Sequence, residues 1–97
     1  MPAYVIANVV TAEENENMAE YRRRVQATLD PYGGRFVIRG GQVEVHEGDW
    51  HPLHLSIIEF PGGRQVRDWL ESPEYQAILP LRTNSVKTEL VVVYSGD

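Results

Sequence analysis

Tyr32-Gly33-Gly34-Arg35-Phe36-Val37-Ile38-Arg39-Gly40-Gly41 is the stretch that decides how this chain folds. Paired glycines supply the positive φ angles needed where a helix stops or a strand turns. Two such pairs flank the apolar run 35–39, so the order is helix, tight turn, strand, tight turn. Upstream, Met18, Tyr21, Val25, Leu29 and Tyr32 recur at spacings of three and four and form one apolar helical stripe. Glu16, Glu20, Arg23 and Arg24 fall off that stripe, on a solvated side. Thr11-Ala12-Glu13-Glu14 can form a capping box at the start, and Pro31, which lacks an amide hydrogen, ends the helix just before Tyr32.

Residues 4–10 read Tyr-Val-Ile-Ala-Asn-Val-Val, a first strand apolar on both faces in which Asn8 is the polar member. After Gly40-Gly41 breaks the second strand, Val43 and Val45 alternate with Glu44 and His46 as a short exposed ribbon. It leads to the turn Glu47-Gly48-Asp49-Trp50-His51-Pro52. Residues 53–60 form a third strand, with Leu53, Leu55, Ile57 and Glu59 on one face and His54, Ser56, Ile58 and Phe60 on the other. A helix beginning near Arg64 carries Val66, Trp69 and Leu70 inward and is interrupted at Ser72-Pro73. Its second piece is expected to stop at Pro80, and residues 90–94 make the last strand.

The expected architecture is α+β, the ferredoxin-like β-α-β-β-α-β unit, with both helices on one face of a four-stranded antiparallel sheet. At 97 residues the chain is read as one domain. The first and last strands are apolar on both sides, so the sheet face without helices needs a cover, and the simplest one is a second copy in a homodimer. A net charge of -5 repels phosphate backbones and anionic lipid, which argues against nucleic acid or a membrane surface as partner. Without cysteine there is no disulfide frame, zinc-thiolate site or cysteine nucleophile. Met1-Pro2-Ala3-Tyr4-Val5-Ile6 has the pattern of a strand rather than a signal peptide, so the expected location is cytoplasmic.

Tyr21-Arg22, Tyr32-Gly33-Gly34-Arg35-Phe36, Arg39-Gly40-Gly41, Glu47-Gly48-Asp49-Trp50, Ile58-Glu59-Phe60, Ser72-Pro73-Glu74-Tyr75 and Leu81-Arg82, in that order, resemble the family catalogued as domain of unknown function 1330. That family lies in the dimeric α/β-barrel superfamily. The resemblance implies a ferredoxin-like fold and a homodimer, and no agreed substrate. The chain departs from the family pattern at His54, where a basic arginine or lysine is usual, and at Ser56, usually apolar. Within the superfamily, Asn8 and Trp69 are similar in placement to the asparagine and tryptophan of cofactor-free and haem-degrading monooxygenases. The axial histidine of the haem-degrading enzymes would fall near Leu79, which cannot bind iron, so no cofactor is expected.

His46, His51 and His54 match no metal-ligand spacing, and no metal is expected. For acid-base work the pair is His54, able to titrate near neutrality, and Glu59, whose apolar strand would raise its pKa. Five residues apart on one strand, they point to opposite sheet faces unless a bulge intervenes. Arg39, and likewise Arg82, can fork onto a carboxylate ligand or close an ion pair with Glu59, Glu74 or Glu89. The functional expectation is a homodimer binding a small, partly apolar molecule between helices and sheet, lined by Asn8, Trp69 and Tyr75 with Arg39 as anion anchor. Two alternatives stand beside it: a non-catalytic dimeric module, and a cofactor-free monooxygenase acting on a quinol-type ring.

Overall fold

A computed structural model describes residues 1–11 and 14–95. The elements are β1 (Ala3–Val9), α1 (Glu16–Leu29), a 3-10 turn (Asp30–Tyr32), β2 (Arg35–Gln42), β3 (His54–Phe60), α2 (Gly63–Glu71), α3 (Pro73–Thr83) and β4 (Thr88–Tyr94). The strands form one sheet in the order β2-β3-β1-β4, every neighbouring pair antiparallel. This is the ferredoxin-like fold expected from the sequence.

The expected capping box includes residues 12 and 13, which lie outside the described residues. The N-cap of α1 is Asn15, whose Oδ1 accepts from the Met18 amide at 2.9 Å. At the other end Gly33 adopts φ 72°, and the Gly34 amide donates to the Leu29 carbonyl, so the first glycine pair stops the helix. Gly34 also sits where a Cβ would lie 2.8 Å from the Phe60 ring and 2.9 Å from Leu29, because the turn is pressed into the core.

The second glycine pair does something other than end a strand. β2 runs on to Gln42, with register shifts between Phe36 and Ile38 and between Ile38 and Gly41, so Gly40 and Gly41 belong to a bulged strand. Gly40 takes φ 68° there, and its amide donates to the Ser56 hydroxyl at 2.9 Å. Val43 and Val45, expected as a ribbon, lie outside any strand. Pro80 also fails to end α3, which continues to Thr83. Ile78 and Arg82 on either side of Pro80 are both buried, and this packing outweighs the loss of one helical hydrogen bond.

Ala3, Val5, Ile58 and Phe60 of the sheet meet Val25 and Leu29 of α1, Val66 and Trp69 of α2 and Tyr75 and Ile78 of α3 in one core. The opposite sheet face carries a row of apolar side chains across all four strands, through the register pairs Ile38–Ile57, Ile57–Ile6 and Ile6–Val91. Its two ends, Ile38 and Val91, are 44% and 53% exposed. Among the described residues, no helix is long and apolar enough to cross a membrane.

Candidate functional site

The α2–α3 junction is built by Ser72. Its hydroxyl donates to the Trp69 carbonyl at 2.7 Å and accepts from the Tyr75 amide at 3.2 Å, which turns the chain sharply between the two helices. The turn brings the Trp69 and Tyr75 rings together, centroids 4.0 Å apart, with Phe60 5.5 Å from Trp69 on the other side. Trp69 donates from Nε1 to the Thr28 hydroxyl at 3.0 Å, and Thr28 in turn donates to the Val25 carbonyl. Trp69 is 1% exposed and Tyr75 2%, so the layer between helices and sheet around them is filled by side chains.

Behind Tyr75 lies a polar cluster. Tyr75 and Arg82 are seven residues apart, two turns along one side of α3, and Arg82 Nη2 donates to the Tyr75 hydroxyl at 3.0 Å. Nη1 donates to the Thr88 hydroxyl on β4, and the guanidinium carbon lies 5.6 Å from the centre of the Tyr21 ring on α1. Arg82 is buried, its Nε has no hydrogen-bond partner, and no carboxylate pairs with it among the described residues. Burial first, and then the neighbouring Tyr75, push the Tyr21 phenol well above its usual range against the pull of Arg82. Tyr21 is therefore a neutral phenol at neutral pH and does not balance the arginine charge.

Asn8 lies elsewhere. It shares the parity of Tyr4 and Ile6 and faces the side of the sheet away from the helices, so it does not join Trp69 and Tyr75 as the sequence led us to expect. Asn8 Nδ2 donates at 2.9 Å to Glu89, its register partner on β4. The two line a cleft of about 260 Å3 together with Ile6, Val91 and Trp50. Trp50 comes from the long β2–β3 connection and is 55% exposed. The amide does have a tryptophan beside it, but a different one. An aromatic residue standing in the polar turn 47–52 was the available signal for Trp50, and the seven-residue spacing of Tyr75 and Arg82 was the signal for the buried cluster.

The proposed acid-base pair also separates. Glu59 accepts from Arg35 Nε at 3.0 Å and from the Tyr4 hydroxyl at 3.1 Å. The Arg35 hydrogen bond, helped by that from Tyr4, holds the Glu59 carboxyl below its ordinary value, the reverse of the raised pKa expected from its apolar strand. A lowered carboxylate paired to arginine is a poor general base. His54 is exposed at the start of β3 and has the opposite parity, so the strand keeps it apart from Glu59. Arg39 stacks over Phe36, 4.5 Å from the ring centre, and donates to the Arg22 carbonyl at 2.8 Å, contacts that tie β2 to α1. Among the described residues, no three of His, Asp and Glu converge on a point able to hold a metal ion.

Solved structures share this fold. A protein of unknown function from Rhodopseudomonas palustris superposes with a TM-score of 0.72 at 22% identity, covering 99% of this chain and 83% of its own. A cofactor-independent oxygenase from Streptomyces nogalater gives 0.61 at 13% identity, with 99% and 92% covered. A dimeric ferredoxin-like protein of unknown function from Jannaschia sp. CCS1 gives 0.62 at 11% identity, with 98% and 100% covered. No curated protein matches the sequence. The family model described as "Domain of unknown function (DUF1330)" matches residues 2–95, and by that match across nearly its whole length this chain belongs to the DUF1330 family.

Proposed function

We propose that the protein is a cytoplasmic homodimer, paired through the helix-free faces of its two sheets, that binds a small, partly apolar molecule in the cleft of Asn8 and Trp50. The observation that carries this reading is the cleft itself. Ile6 and Val91 give it an apolar floor, Trp50 an aromatic wall, and Asn8 with Glu89 a polar end, the mixture small-molecule sites use. The apolar row across the sheet supports the dimer, because a patch of this kind on a small domain marks an interaction surface. Any chemistry inside the cleft would run without a cofactor.

Native mass spectrometry of protein purified from its own source tests this directly. We expect a small-molecule adduct on the wild-type dimer that is lost from Trp50→Ala and weakened in Asn8→Ala, both variants remaining dimeric. An adduct retained equally by all three, or none on the wild type, would leave the reading of a non-catalytic dimeric module. A second reading, cofactor-free oxygenation of a quinol-type ring, is favoured by one observation, an amide beside an aromatic wall at Asn8 and Trp50. It requires that hydroquinones consume oxygen faster with wild type than with Asn8→Ala.

A further inference from the structure

We propose that the Asn8 cleft selects organic cations: small ammonium compounds whose nitrogen sits against Glu89 and Asn8 and whose apolar body lies along Trp50. This rests on the small-molecule reading of the same cleft and adds the charge class of its occupant.

Of the side chains that line the cleft, Ile6, Asn8, Trp50, Glu89 and Val91, one carries a formal charge, and it is negative. Among the described residues no lysine, arginine or histidine nitrogen lies within 4.0 Å of the Glu89 carboxylate, whose hydrogen-bond partner is the neutral Asn8 amide. Lys87, the one lysine of the chain, stands two residues before Glu89 but does not line the cleft. The connection that carries Trp50 adds charge of the same sign, with Glu44, Glu47 and Asp49 and no lysine or arginine between Gln42 and Leu53. On a chain of net charge -5, a cleft of this kind gathers cations and repels anions.

The hydrogen-bonding groups point the same way. Asn8 is 6% exposed, and the bond from Nδ2 to Glu89 Oε1 fixes which end of the amide is which. Its Oδ1 takes no hydrogen bond among the described residues, yet it is not sealed in, because Arg82 Nε alone among them is both enclosed and without a partner. Glu89 Oε2 is likewise free, so the polar end of the cleft offers a ligand two unused acceptor oxygens. An ammonium supplies several N–H donors and the opposite charge. A neutral hydroxyl supplies one hydrogen and leaves the charge unmatched, and a carboxylate meets Glu89 with like charge. The indole of Trp50 is exposed with no arginine over its face among the described residues, and indole is the strongest aromatic partner for a cation. At about 260 Å3 the cleft is smaller than the roughly 300 Å3 at which sites for drug-sized ligands begin, so the body of the amine is a single ring or a short chain.

The test uses the intact protein labelled with nitrogen-15, at neutral pH and constant ionic strength. It has two indole N–H signals, from Trp50 and Trp69, and Trp50→Phe tells which is which. The probes are benzylammonium, its neutral isostere benzyl alcohol, and benzoate. We expect a saturable shift of the Trp50 signal with benzylammonium while buried Trp69 stays still, binding of benzyl alcohol at least about tenfold weaker, and no shift with benzoate. In Glu89→Gln the benzylammonium affinity should fall at least about tenfold and that for benzyl alcohol stay the same. Benzyl alcohol binding as tightly as benzylammonium, or an unchanged benzylammonium affinity in Glu89→Gln, would overturn the charge class and leave the cleft reading standing. A Trp50 signal that moves with none of the three probes would overturn it as well, and the adduct on the purified dimer then decides the cleft reading separately. Should Glu89→Gln fail to fold, the three titrations of the wild type decide alone.

Discussion

Ile38→Glu is the sharpest test of the paired-sheet dimer. Ile38 stands at one end of the apolar row, 44% exposed in the single chain, so the substitution touches the proposed interface more than the core of the subunit. Full burial of an isoleucine is worth about 1.5–3 kcal/mol, so covering the exposed part is worth about 1 kcal/mol per copy and about 2 kcal/mol per two-fold dimer. Each glutamate must in addition shed water to be covered, and even after partial relief at the interface edge the pair costs about 2 kcal/mol more. The sum of about 4 kcal/mol corresponds to a dissociation constant raised about a thousandfold. Sedimentation equilibrium over a range of protein concentrations measures it, with circular dichroism confirming that the subunit still folds. A wild type that sediments as a monomer at micromolar concentration, or a folded Ile38→Glu with an unchanged constant, would refute the reasoning.

The two glycine pairs should respond in different ways to alanine. Gly34→Ala forces a methyl group against Phe60 and Leu29 and should lose about 1–3 kcal/mol by overpacking, whereas Gly40→Ala meets no neighbour and should lose only the roughly 1–2 kcal/mol of its left-handed backbone. Urea unfolding at fixed pH compares them, and a Gly34→Ala midpoint equal to that of wild type would contradict the packing described. Because the Glu59 carboxyl is held below its ordinary pKa of 4.5, its contribution to stability is complete above that value and is lost as pH falls through the lower folded-state pKa. Arg35→Gln should raise the Glu59 pKa and move this acid limb to higher pH, as seen by carboxyl NMR titration; Glu59 titrating at or above 4.5 in the wild type would reverse the sign.

Much of the candidate site was legible from parity alone. Asn8 alternates with Val5 and Ala7 and so shares the face of Ile6, while Trp69 sits on a helix that must pack on the Val5 face; their separation was implicit in a period of two. The same rule kept His54 apart from Glu59. The Asn8–Trp69 pairing came from likeness to distant enzymes, and the local pattern of this chain overrides it. Glu59 looked like a carboxyl that burial would raise, but its partners Arg35 and Tyr4 come from neighbouring strands, distant in sequence, and their hydrogen bonds decide the direction.

The order of strands and helices, the apolar stripe of α1, the stop at Gly33-Gly34 and the break at Ser72-Pro73 follow from the sequence by itself, because each depends on periodicity or backbone freedom within a few residues. Only the tertiary structure decided that Gly40-Gly41 would bulge rather than turn, that α3 would run through Pro80 and bury Arg82, and that Trp50 would reach the Asn8 cleft. These outcomes are set by strand pairing and packing between segments far apart in the chain, where a small local penalty is outweighed by contacts that no window of sequence contains.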